Sequence, residues 1–265
     1  MTLPIYEAIE VVDIINENAG HTKPWVVLAN TSEGLKSFVV KLYTPSQVDQ
    51  FHCVTKEIAC NLLAGEFDLN VPKCALIEIP DHLAFRLPMS AQVQLGDADQ
   101  RLKFATQLLD NVTNAIHGLP KMHFKKRISM DTLYAFDNLI RNQDRGHYKT
   151  NLLLSATDAY LIDHELTLSV PDIVNINLNT LQLEDKFTKY HLFYPYLKNA
   201  RWKNKQNFFN EFELYLNGLN IKKLTPYFRQ LVNEGFIDYS EPVSNWLEQV
   251  KQNGTIFVNQ MKGSL

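Results

Sequence analysis

The sequence predicts an α+β fold in two lobes: a β-rich N-terminal lobe carrying one helix, then a larger, mainly helical C-terminal lobe. Three observations predict it. Short β-branched runs broken by turn-formers fill the first ninety residues. Helical spacing takes over after Pro88. Within that helical half, one polar loop leads into a single small hairpin. With 265 residues, 45% of them hydrophobic, the chain can bury a sizeable core as one large domain or two coupled lobes.

The elements follow in order. Residues 8–15 (AIEVVDII) form a first strand. Residues 25–29 (WVVLA) and 37–43 (SFVVKLY) form two more, joined across Asn30-Thr31-Ser32-Glu33-Gly34, a cluster of turn-formers. Residues 45–63 switch to helical spacing, with Val48, Phe51, Val54, Ile58 and Leu62 on one face. Two apolar runs, 74–79 and 82–87, flank Pro80-Asp81 and read as a second hairpin. The lobe boundary is expected near residues 88–95, dividing 1–90 from 91–265. Residues 101–116 read as a helix with Phe104, Leu108 and Leu109 in phase. Residues 129–141 read as another, through Leu133, Phe136, Asp137 and Ile140. A polar loop, 142–150, precedes two short strands, 151–154 and 159–163. From residue 180 the chain is mainly helical. Its aromatics there (Phe208, Phe209, Phe212, Tyr215, Tyr227, Phe228) fall at core-packing spacing rather than as a base-stacking platform, since no basic stripe accompanies them.

Composition narrows the function. A net charge of -3 gives no reason to expect nucleic-acid or membrane-surface partners. Cys53, Cys60 and Cys74 are odd in number and lack CxxC spacing, which argues against a disulfide framework or a zinc site and for reduced thiols in the cytoplasm. Residues 1–11 carry Glu7 and Glu10 without a basic stretch, unlike a signal peptide. No apolar run approaches the roughly 20 residues of a membrane span.

The chemistry concentrates between Asp144 and Asp163. A helix end, a polar loop and a hairpin bring three groups together: Asp144, Asn151 (in Asn151-Leu152-Leu153-Leu154) and Asp163 (in Leu161-Ile162-Asp163-His164-Glu165). Phosphoryl transfer needs such a set. One carboxylate orients the attacking hydroxyl, while an amide oxygen and a second carboxylate hold Mg²⁺ on the phosphates. Taken singly, each residue also reads as an ordinary loop, cap or turn group. Asp137 faces inward by its phase and can brace the loop, or it is a helix-surface acid. His147 and His164 lack a third soft ligand at metal spacing, so His164 reads as a supporting or core residue.

The ordered string Asp144-Arg145, Asn151-Leu152-Leu153, Leu161-Ile162-Asp163-His164 resembles the HipA-like kinases, distant relatives of protein kinases and phosphoinositide kinases. The resemblance implies a two-lobed protein-kinase-like fold, with residues 1–90 as the nucleotide-binding lobe and 91–265 as the catalytic lobe. It implies ATP and Mg²⁺ as cofactors, Asp144 as the catalytic base, and Asn151 and Asp163 as metal ligands. It extends to Lys41, a strand lysine that would pair the α/β-phosphates, to Glu57 on the following helix, which would fix it, and to Val71-Pro72. The alternative is a solvated Lys41 with Glu57 paired locally.

No GxGxxG or Walker A string occurs. Gly20, Thr22 and Lys23 stand where the family has a phosphate-covering turn, and can offer N–H, hydroxyl and cation to phosphates. The segment also reads as an ordinary polar hairpin loop. One departure stands out. The common kinase loop places its metal-binding Asn five residues after the Asp, and here that position is Lys149. Either Asn151, which opens the hairpin strand, takes the metal, or Lys149 leaves the site weak or inactive.

The expected function is thus an ATP-dependent phosphotransferase acting on a Ser/Thr protein substrate, with a toxin-like or regulatory role and a regulatory partner protein as further implications. A small-molecule or lipid kinase, taking a small-molecule hydroxyl acceptor, and a catalytically inactive nucleotide-binding module are the alternatives.

Overall fold

The structure, a computed structural model, describes residues 2–15, 23–173 and 187–265. The chain divides into two compact units. One comprises Met1–Ile58, Pro72–Asp110 and Leu224–Tyr239, the other Ala59–Val71, Asn111–Lys223 and Ser240–Leu265.

The first unit is built on a closed barrel. Its strands are β1 (Ile5–Ile14), β2 (Trp25–Thr31), β3 (Gly34–Val40), β4 (Cys74–Glu78) and β5 (Lys103–Gln107), in the order β1-β2-β3-β5-β4. β1 meets β4 in parallel and every other pairing is antiparallel. The predicted turn at 30–34 closes the β2–β3 hairpin, with Thr31 opposite Gly34. Gly34 sits at φ 95°, which a side chain resists. Trp25, Val27, Val40, Ile77 and Ala105 fill the barrel, and the Trp25 indole N–H donates to Gln94 at 3.1 Å. Burying this indole ring with its one polar atom satisfied is the favourable arrangement for tryptophan. Helices α1 (Pro45–Asp49), α2 (Cys53–Glu66), α3 (Asp81–Ala84) and α4 (Met89–Asp97) interleave with the strands.

Three local readings change. The predicted helix over 45–63 is two helices. A capping box between Thr44 and Gln47 starts α1, and His52 breaks the run in a left-handed conformation (φ 53°), its ring stacked on Tyr239 at 4.1 Å. Phe51 accordingly points to solvent rather than onto the shared face. Residues 82–87 do not form a strand; α3 starts behind Pro80, and of its residues only Leu83 is fully buried. Residues 101–116 are not helical. β5 slots between β3 and β4, with Phe104 opposite Leu76 and Ala105 opposite Val40. Barrel closure demands a strand there, and those pairings override the local helical spacing of Phe104 and Leu108.

The second unit packs around a helix. After β6 (Thr113–Asn114) and α5 (Met122–Lys125) comes α6 (Met130–Leu139), which is buried except for Asp131. β7 (Leu152–Leu154) pairs with β6 and with β8 (Ala159–Leu161) to make the small sheet. The chain continues through α7 (Val170–Ile173), α8 (Tyr194–Lys198), α9 (Trp202–Lys205), α10 (Asn210–Gly218), α11 (Thr225–Asn233, part of the first unit), α12 (Ser240–Gln252) and α13 (Gly254–Ser264). Phe67 stacks on Phe212 and tilts against Phe136, and the buried Trp246 donates its indole N–H to the Leu139 carbonyl at 2.7 Å. Phe209, Phe212 and Phe228 are buried, in line with a packing role. Cys53, Cys60 and Cys74 form no disulfide with one another, and burial pushes the Cys74 thiol up to about 12. Among the described residues, no helix is long and apolar enough to cross a membrane.

Candidate active site

The loop after α6 is held from below. Asp137, in the last turns of α6, is fully buried. Its Oδ2 accepts from Arg145 Nε at 2.7 Å and lies 2.9 Å from His191 Nε2, and its Oδ1 accepts from Asn142 Nδ2 at 2.8 Å. Burial opposes the charge of Asp137, but the Arg145 guanidinium, with His191 and Asn142, outweighs it and holds the carboxyl below its ordinary value. Arg145 then spends its remaining donors on the loop's far end, at the carbonyls of Thr150 and Asn151, and approaches His164 Nε2 at 3.4 Å. One buried guanidinium thus ties the helix end to the start of the hairpin. Asn142 Oδ1 accepts the Asp144 N–H at 2.9 Å, which sets the backbone direction at Asp144.

Asp137→Ala should therefore cost about 3–5 kcal/mol, because it strands the buried Arg145 charge. Urea unfolding measures this, and a loss below about 1 kcal/mol would count against the brace. The sign with pH follows from the lowered carboxyl. Its stabilisation is present above the unfolded pKa of about 3.9 and lost as pH falls through the lower folded value. The gap between parent and variant should narrow in acid.

Above this brace lie the acids. Lys149 Nζ sits 2.7 Å from Asp144 Oδ2 and 2.8 Å from Asp163 Oδ2. Asn151 Nδ2 donates to Asp144 Oδ2 at 3.0 Å. Asp144, Asn151 and Asp163 therefore converge, as their order in the sequence predicts, and Lys149 stands between the two acids. Partial burial works against the Lys149 charge, but Asp163 and Asp144 outweigh it and hold the ammonium above its ordinary value. Asn151 (φ 45°) and Asp163 (φ 64°) both adopt the left-handed backbone, which Asn and Asp tolerate better than most residues. The hairpin fixes both, through the Ile162 N–H donating to the Asn151 carbonyl at 3.1 Å.

This donor set fits a hard divalent cation. Two carboxylate oxygens already share one positive charge, with the ammonium as stand-in, and an amide lies beside them.

In the first unit, Lys41 follows β3, and its ammonium pairs with the Glu57 carboxylate on α2. Glu57 is buried and also accepts from the Tyr43 hydroxyl at 3.1 Å. The Lys41 N–H donates to the Phe104 carbonyl at 3.0 Å, so β5 fixes the lysine's backbone. The predicted strand-lysine and helix-glutamate pair is formed. Gly20 and Thr22 lie outside the described residues. Lys23 is exposed, and its carbonyl accepts from Gln94 Nε2 at 2.9 Å.

Sequence reasoning missed His191, Asn142 and Tyr43. His191 joins Asp137 from 54 residues away, beyond any local spacing. Asn142 was legible as an Asn two residues before an Asp, a common side-chain-to-backbone turn. Tyr43 lies two residues past Lys41, on the same side of an extended chain.

The family model described as HipA-like kinase matches residues 9–221. The crystal structure of a Helicobacter pylori proinflammatory kinase, CtkA, superimposes with a TM-score of 0.50 at 12% identity, covering 100% of this chain and 98% of that one. At that identity the likeness shows a kinase-like fold. No curated protein matches the chain.

Proposed function

Because the chain belongs to the HipA-like kinase family, we propose that it transfers the γ-phosphoryl group of Mg-ATP to a Ser/Thr hydroxyl of a protein. The observation that carries this reading is that Asp144, Asn151 and Asp163 come together at one place in the fold. In this reading Asp144 orients the acceptor hydroxyl and takes its proton. The hydroxyl oxygen bonds to the γ-phosphorus as the bond to the β-phosphate oxygen breaks, and ADP leaves. Lys41, held by Glu57, which also accepts from the Tyr43 hydroxyl, pairs the α/β-phosphates. Asp163 and Asn151 would hold Mg²⁺, which when bound would neutralise charge on the phosphate oxygens. Asp137 and Arg145 are positioning residues that keep the loop in place. The protein acceptor rests on the family resemblance.

One observation favours a second reading, a nucleotide-binding module without catalysis: Lys149 is paired to both acids. Incubating the full chain with Mg-ATP and a mixture of Ser- and Thr-containing proteins, followed by intact-mass measurement, separates the two. A gain of one phosphate on the chain or on an acceptor is expected. Nucleotide binding with no transfer to any acceptor would favour the second reading.

A further inference from the structure

We propose that Lys149 is a built-in counter-ion that competes with divalent metal for the Asp144–Asp163 pair and so sets how much metal the site needs; this rests on the reading of Asp163 as a metal ligand. The pair is short on both sides, 2.7 and 2.8 Å, so the ammonium occupies the point where the two carboxylates would share a cation. Its approach differs from theirs. The Lys149 side chain is 44% exposed, against 19% for Asp144 and 16% for Asp163. The acids are set into the protein by the brace and the hairpin, whereas the lysine reaches them from the solvent side on a flexible four-carbon stem.

The lysine's backbone, by contrast, is fixed. The Gly146 N–H donates to the Lys149 carbonyl at 2.9 Å, which closes a tight turn, and a Cβ at Gly146 would press to 3.1 Å from the Tyr190 carbonyl. The stem therefore starts from one place and its head can withdraw to water. Two carboxylates facing one point repel each other unless a cation joins them. A neutral residue at 149 would take that cation away from the pair, and metal binding should tighten. Lys149 also stands five residues after Asp144, where the common kinase loop carries its metal-binding amide. Here the amide comes two residues later, at Asn151, and a cation stands at the usual position.

The test uses the nucleotide-free full chain and Mn²⁺, a hard cation with oxygen preference whose free form is read directly by paramagnetic resonance. Lys149→Met, and Lys149→Gln as a second neutral replacement, should bind Mn²⁺ at least about tenfold more tightly than the parent, the scale of one nearby charge in a partly exposed site. Adding Asp163→Asn should abolish the gain. Unchanged or weaker Mn²⁺ binding in both neutral variants, with Asp163→Asn still weakening the parent, would overturn the role of Lys149 and leave the metal site standing. Binding that ignores Asp163→Asn in every background would sink the metal site and this inference together.

Discussion

Asp144→Asn is expected to bind Mg-ATP as the parent does and to transfer phosphoryl about 10²–10⁴-fold more slowly, the usual contribution of a positioned general base. The substitution is nearly isosteric and leaves the brace intact. The backbone N–H of residue 144 still has Asn142 as its acceptor, and the Asp137–Arg145 pair does not use the Asp144 side chain. What it removes is the oxygen that would accept the acceptor's proton and that now meets Lys149 and Asn151. Calorimetric affinity for Mg-ATP and the rate of ADP release together isolate the effect. Full turnover in a folded Asp144→Asn would eliminate it as the base.

Asp163→Asn should lose the Mg²⁺-dependent part of the thermal stabilisation by ATP and with it turnover. Bound ligand stabilises a fold by about 2.7 kcal/mol at a hundredfold excess over its dissociation constant, so the missing shift is large enough to read in a melting experiment. Asn is chosen over Ala for a physical reason. Residue 163 holds φ 64°, which Asn tolerates, whereas Ala would add strain of about 1–2 kcal/mol that has nothing to do with metal. If the Mg²⁺-dependent shift survives in the variant, Asp163 is not a ligand. This experiment reads Asp163, whereas the Mn²⁺ titration of the Lys149 variants reads the competition for it.

Much of this site was legible without coordinates, because its parts lie close along the chain. A loop of a few residues and a tight hairpin have little freedom, so the order Asp144, Asn151, Asp163 already forces proximity. Even the departure at Lys149 could be read, since its distance from Asp144 in sequence is short. The phase of α6 also turned Asp137 inward, and the structure makes it the anchor of the loop.

Two of the three misreadings share a cause. Residues 101–116 carry apolar groups at helical spacing, yet residues 103–107 are a strand because β3 and β4 each leave an edge that only another strand can satisfy. Residues 82–87 are apolar enough for a strand but have no edge to join, and fold into a short helix behind Pro80. Periodicity sees only neighbours in sequence, whereas strand pairing is decided by backbone groups tens of residues away.

From the sequence alone came the α+β composition, the identity of the acids and the amide, and the cation that departs from the family pattern. The tertiary structure decided the closure of the barrel, the partnership of Glu57 with both Lys41 and Tyr43, the clamp of Arg145 between Asp137 and Asn151, and the seat of Lys149 between the two acids. Residue type and short spacing determine what chemistry is available. Which charge finally rests against which is set by burial and by contacts that close only when distant segments fold together.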